Sequence, residues 1–472
     1  MKKSALAVFS GMLAVAGPAL AQNYSTEELD RRAIERRAVE AVNWGMAFVN
    51  YDMMLQAMIR DTKGAPNQIV YWSRLPDWKN QTLTPNPEVI YIMPFFDTRD
   101  AGAMVLEIPP AGADGSVTGT IMDASQAALE DAGPAGVDKG KGGKYLILPP
   151  GSKDRTPSGY IVLRSPYYQG YALLRSILKS GSDADVAKAS TYAKRIKLYP
   201  LSKAANPPPT KFNDAIDVVF DATIPYDLRF FQSLNRMVQV EPWLPRDKIM
   251  IDMLKSIGVE KGKSFSPDAE MQASLNAAGR EARAWLDARY ETSLPAYYAG
   301  GHWTLPTPAE FIETMGTSFE KPNGYALDAR GLADTYLFSS VKHLGEGQFY
   351  FVSDRDGNAQ PLDGGSNYRI TVPANAPVRQ FWSVVLYDRE THALIRDLPR
   401  PSRSSQSQGL QKNADGSVDV YFGARAPTDK EANWVPTMPG RQFEAIFRFY
   451  GPEKPLFDKT WKLPDIEKVS TP

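Results

Sequence analysis

The chain has 472 residues, with 54 lysines and arginines balanced by 54 aspartates and glutamates. That length implies more than one core, and the even charge gives no basis for nucleic acid or an anionic membrane as a partner. Cysteine is absent, which excludes a disulfide framework, a thiolate nucleophile, a thiolate metal site and a lipidated-cysteine anchor.

Residues 1–21 read as a secretory signal: Lys2 and Lys3 precede the apolar run Ala5–Ala16, and Ala19-Leu20-Ala21 fits an A-x-A cleavage site. Export without cysteine points to the periplasm, with outright secretion as the second choice. No later stretch is long and apolar enough to span a bilayer. Ser25-Thr26-Glu27-Glu28 matches a capping box, opening a helix to about Val42 or beyond. A second helical pattern runs from Tyr51 to Arg60.

From Gln68 the pattern changes to strands: Ile69–Trp72, Val89–Met93, Met104–Ile108, Val117–Met122 with Asp123 on its end, Tyr145–Leu148 and Tyr160–Arg164. Leu83–Glu88, with Pro85 and Pro87, is a fixed turn. The glycine- and lysine-rich stretch Gly136–Lys144 suggests a phosphate cradle, but a P-loop leads from a strand into a helix and this one leads into a strand. It reads as a solvated connection. Leu173–Lys179 and Asp183–Lys197 have a helical pattern, and Asn206–Thr210 is a proline-rich linker. A mainly helical section follows from Asp214 to Tyr298, with Ser266-Pro267 as an N-cap and N1 pair. Ser353–Asn358 opens like a calcium loop, yet Gly365 stands where the twelfth-position glutamate is needed, so it reads as an Asp-rich turn. The densest β signal lies between Asn367 and Ile395, as strands Tyr368–Val372 and Gln380–Asp388. Gln348–Val352, Val418–Phe422 and Phe443–Tyr450 complete the set.

Leu83-Thr84-Pro85-Asn86-Pro87, the block Lys139–Pro150 and Gly159-Tyr160, followed by Asn413-x-Asp415-Gly416-Ser417, Asn433-Trp434-Val435-Pro436 and Phe447–Pro452, resemble an exported bacterial family. That family pairs two domains of unknown function, DUF1254 followed by DUF1214. The resemblance runs from about Asn43 to Val469, and it implies two β-sandwich or jelly-roll-like domains with helical insertions. Family members carry N-x-D-T-x-Y in the first motif, where this chain has Asn86-Pro87-Glu88-Val89-Ile90-Tyr91; Glu88 keeps a carboxylate and the threonine is replaced.

For chemistry, the three histidines His302, His343 and His392 form no H-x-x-x-H or H-E-x-x-H pair, so no zincin site is present. G-x-S-x-G and a strand-to-helix G-x-G-x-x-G are absent too, leaving no motif for a hydrolase elbow or a nucleotide cofactor. No metal site and no cofactor is expected. Carboxylates at strand ends, Glu88 and Asp123 above all, together with His302 in a glycine turn, form the catalytic candidates for a metal-independent hydrolase. Tyr91, Trp382, Tyr387 and Trp434 with Arg448 form the binding candidates, because aromatic faces beside a guanidinium suit a sugar, an aromatic ring or an organic acid. The expected architecture is mainly β with helical insertions, an α+β chain. It comprises a signal peptide (1–21), an N-terminal β-sandwich domain (22–205), a helical connector (206–322) and a C-terminal β-sandwich domain (323–472). The leading functional expectation is a small organic or saccharide ligand held between the sandwiches. A hydrolase and a scaffold or assembly protein are the alternatives, and a homo-oligomer stays open.

Overall fold

The computed structural model describes residues 24–470, except 154, 179, 181, 339 and 344–346. The expected signal, residues 1–21, lies outside them. Among the described residues no helix is long and apolar enough to cross a membrane.

The first helix, Thr26–Thr62, is one continuous element rather than two. Ser25 caps it as expected, accepting from the Glu28 N–H at 3.1 Å, while the Glu28 carboxylate takes Arg32 one turn on instead of closing the box. From Ala41 to Tyr51 every residue is buried. A helix enclosed on all sides has no amphipathic stripe, so its polar side chains must find partners inside. Asn43 reaches the Asp328 carboxylate at 2.8 Å, Asn50 the carbonyls of Asp334 and Leu337, and Asp52 the side chains of Ser233 and Arg236.

The N-terminal strands form two sheets. One has six strands in the order Phe212–Asp214, Gln68–Tyr71, Ile90–Asp97, Gln169–Ser176, Val117–Asp123, Ala128–Ala132; the other has four, Lys197–Pro200, Met104–Ile108, Gly143–Leu148, Ile161–Arg164. Ile90, Ile92, Ala172 and Leu174 from the first pack against Leu106, Tyr145 and Ile147 from the second. The strand Gln169–Ser176 replaces the helix expected at Leu173–Lys179. It is hydrogen-bonded on both edges and buried nearly throughout, so its Tyr-Ala-Leu-Leu run shows no alternation to mark it as a strand.

The C-terminal half is a second sandwich. One sheet runs Gln348–Ser353, Phe443–Tyr450, Trp382–Asp388, Ser402–Ser404; the other runs Trp434–Pro436, Val418–Gly423, Asn367–Val372, Glu467–Val469. Both strands expected between Asn367 and Ile395 exist, one in each sheet. Between the two halves the helices Leu228–Val240 and Ala269–Ser293 pack on the first helix. The latter is capped by Asp268, which accepts from the Met271 N–H at 2.9 Å, and not by Ser266. The fold is thus α+β, with two β-rich halves built of open sheets and helices wrapped between them.

Strand parity ties the halves together. Along Trp382–Asp388, Trp382, Val384 and Leu386 point into the C-terminal sandwich, while Val385 and Tyr387 point out of it. On the N-terminal side Ile90 and Ile92 enter their sandwich while Tyr91, Met93 and Phe95 leave it. The outward sets meet each other and the buried helix in one shared core. Gly331 shows how tightly this core closes, since an added Cβ would stand 1.9 Å from the Asn43 side-chain oxygen. Gly331→Ala is expected to cost about 2 kcal/mol through overpacking, read as a lower urea midpoint at unchanged m-value.

Candidate functional site

The turn Leu83–Glu88 reaches out of the N-terminal half and is held almost entirely by the C-terminal half. Thr84 sits at φ 38°, a left-handed conformation unfavourable for a β-branched residue. Its N–H donates to the His392 carbonyl at 2.6 Å and its hydroxyl to the Tyr336 carbonyl at 2.7 Å, and its own carbonyl accepts from Arg448 Nη2 at 3.0 Å. Next along the turn, the Pro85 carbonyl accepts from the Tyr387 hydroxyl at 2.7 Å. The Asn86 N–H donates to the Tyr91 hydroxyl at 2.8 Å, and its side-chain amide donates to the Tyr450 hydroxyl. Glu88 closes the turn by accepting from the hydroxyls of Ser402 at 2.6 Å and Ser404 at 3.1 Å.

Two guanidiniums share the tyrosines around this turn. Arg448, on the strand Phe443–Tyr450, is only 3% exposed and lies over the rings of Tyr350 at 5.2 Å and Tyr387 at 5.6 Å. Its Nη1 is buried with no hydrogen-bond partner. Arg175, half-buried on the strand Gln169–Ser176, covers the Tyr91 ring at 5.5 Å. Beside their burial, the phenols of Tyr387, Tyr450, Tyr350 and Tyr91 act on Arg448, and three of the same act on Arg175. Among the described residues no carboxylate forms an ion pair with either. Burial pushes the Tyr450 hydroxyl well above the ordinary phenol range, and it does so against the pull of Arg448 and Arg175. Burial raises the Tyr387 hydroxyl as well, so these two phenols stay neutral and supply no counter-charge. A buried cation without one costs several kcal/mol, and the arrangement suits a ligand that brings negative charge with it.

Residues 66–200 match the family model for DUF1254 and residues 347–454 the model for DUF1214, each described as a protein of unknown function. The chain belongs to the family that joins DUF1254 to DUF1214. The Leu83–Glu88 turn, Tyr91 and Arg175 come from the first of these domains. Tyr350, Tyr387, Arg448 and Tyr450 come from the second, so the site is made where the two meet. Among curated proteins, none matches the chain. In fold it is similar to the crystal structure of the VPA0106 protein from Vibrio parahaemolyticus, at 20% identity and a TM-score of 0.56 over 93% of this chain and 100% of that one. A putative uncharacterized protein from Burkholderia cenocepacia aligns at 13% identity and a TM-score of 0.41, over 94% of this chain and 96% of that one.

Of the residues singled out in the sequence, Tyr91, Tyr387 and Arg448 come together here, with Glu88 at the edge of the turn. Trp382 faces the other way, stacked on Phe447 inside the C-terminal sandwich. Trp434 lies on the far sheet, its indole N–H donating to the Gly423 carbonyl and its ring under Arg400. Asp123 caps its own turn through Ser125 and Ala127, and His302 pairs with Asp465 at 3.1 Å. Glu88, Asp123 and His302 each bond to different partners and none to another of the three. Among the described residues no group of three or more His, Cys, Asp or Glu side chains gathers in a way that could hold a metal. Sequence reasoning missed Arg175, Tyr350, Asn86 and Thr84 as site residues. Asn86 and Thr84 lay inside the motif that carried the family resemblance, which was the available signal.

A second polar cluster supports the turn from behind. Glu444 is fully buried; it accepts from the Tyr290 hydroxyl at 2.5 Å and lies 2.9 Å from His392 Nδ1. Burial alone raises a carboxyl pKa, yet His392, with Arg389 and Tyr290, holds Glu444 below its usual 4.5. This stabilisation is complete above the unfolded-state value and is lost as pH falls through the lower folded-state one. Glu444→Gln is accordingly expected to cost about 3 kcal/mol at pH 7. The gap to the parent protein should narrow below pH 4.5, as urea unfolding across pH would record.

Proposed function

We propose that the protein binds a small organic anion, carboxylate-bearing, in the seam between its two sandwiches. The observation that carries this reading is the buried Arg448, with an unpartnered Nη1 and no carboxylate ion pair among the described residues, beside the Tyr387 and Tyr450 hydroxyls that burial keeps neutral. Arg448 would take the carboxylate and the faces of Tyr91, Tyr350 and Tyr387 would hold the organic part. Arg175 and Tyr350, both half-buried, mark the side from which a ligand would enter. A neutral saccharide has less support, because Trp382 and Trp434, the broadest faces, lie elsewhere. The hydrolase reading finds no support in the separate settings of Glu88, Asp123 and His302. The Met1–Ala21 pattern supports a periplasmic setting, where such a ligand would be met outside the cytoplasm.

Thermal shift and calorimetry with a panel of mono- and dicarboxylates, aromatic acids and phosphate esters test the proposal. One class should raise the melting temperature in a dose-dependent way. Arg448→Met should weaken that ligand by about 100-fold or more and should lower the unliganded melting temperature modestly, because the buried Thr84 carbonyl loses its donor. Failure of every acid to bind, or undiminished binding by Arg448→Met, would sink the reading.

A further inference from the structure

The stretch Gly136–Lys144 does more in the folded chain than join two strands. Its end forms one wall of an open groove of about 800 Å³ on the N-terminal sandwich, far in sequence from the C-terminal half. Lys141, Lys144, Lys194, Arg195 and Lys197 line it, all five exposed, with Lys144 and Lys197 flanking Glu107 on the two neighbouring strands. In a chain with equal numbers of positive and negative residues, this is a concentrated local charge. The one carboxylate lining the groove, Glu107, is already engaged by the Tyr199 hydroxyl at 3.0 Å and by Lys197 at 3.4 Å. Lys141 and Lys144 form no ion pair among the described residues, and Lys194 rests over the Tyr71 ring at 5.0 Å.

The groove is also pre-shaped. Gly142 adopts φ 70°, and a Cβ there would stand 2.5 Å from the Ile108 carbonyl. Its N–H donates to Asp138 at 3.0 Å, and the Ala111 N–H donates to the Gly140 carbonyl at 2.8 Å, pinning the loop. Pro109, Pro110 and the run Pro207–Pro209 contribute rigid apolar surface beside Phe212. The charges do not converge on a point, as for a single phosphate, but are spread along the groove, Lys144 and Lys197 standing two strand spacings, about 10 Å, apart. Phe212 is the one aromatic side chain lining the groove and is half-buried, so successive nucleobases find no row of rings to stack on.

We propose that this groove binds a strand of acidic polysaccharide, its carboxylates paired with the exposed lysines and its sugar faces against the prolines. The test is fluorescence anisotropy of the purified full chain with a labelled oligogalacturonate, at low and at physiological salt. Saturable binding is expected, weakened about 10-fold or more by the added salt. Lys141→Glu with Lys144→Glu should reduce affinity by a further factor of about 10, and Arg448→Met should leave it unchanged. If the charge-reversed protein does not melt cooperatively, Lys141→Gln with Lys144→Gln replaces it and should give a smaller loss in the same direction. The proposal is overturned by absence of saturable binding at low salt or by equal binding of the lysine variants. Tighter binding of a single-stranded oligonucleotide or of anionic lipid vesicles than of the oligogalacturonate would overturn it as well.

Discussion

Thr84 occupies a backbone conformation that its own side chain disfavours, and the opposite half of the molecule keeps it there. Three hydrogen bonds to His392, Tyr336 and Arg448 fix its N–H, hydroxyl and carbonyl at once. Strain of order 1–3 kcal/mol persists only where the surroundings over-determine the geometry, and here those surroundings belong to a different sandwich. The turn consequently delivers Asn86 to Tyr450, Pro85 to Tyr387 and a carbonyl to Arg448 in one rigid piece. Everything that defines the seam follows from this grip.

The grip is possible because each sandwich leaves one face unfinished. A sheet strand offers side chains alternately to its two sides, and in both halves the second side is too apolar for water. Tyr91, Met93 and Phe95 from one half, and Val385, Tyr387 and Ile446 from the other, close over the first helix as a common core. Polar groups placed on those same faces, Arg448 and Glu444 among them, are carried inward by strand geometry. They are therefore enclosed whether or not the enclosure favours them, and Glu444 answers with partners on both oxygens whereas Arg448 does not.

Much of the strand layout was legible in the sequence because Val, Ile and aromatic density marks sheet segments well: Met104–Ile108 and Phe443–Tyr450 fall where the pattern puts them. The failures share one cause. The strand Gln169–Ser176 and the middle of the first helix are enclosed on nearly all sides, and enclosure erases the periodicity on which such reading depends. Arg175 was lost with its strand. For the site, composition identified the right strand but not the right side of it. Trp382 and Tyr387 carry equal aromatic signal five positions apart, and odd spacing puts them on opposite faces. Which face mattered became readable only once the second sandwich was in place.

The burial of the first helix has a bearing on how the chain is made. Asn43 finds its partner 285 residues later in Asp328, and Asn50 finds one 287 residues later in Leu337. During synthesis these two buried asparagines therefore stay without their partners until most of the protein has emerged. Contacts of such long sequence separation form late and slowly, so the growing polypeptide stays pliable along much of its length. The final locking of the first helix between the two halves is thereby deferred to the end of folding.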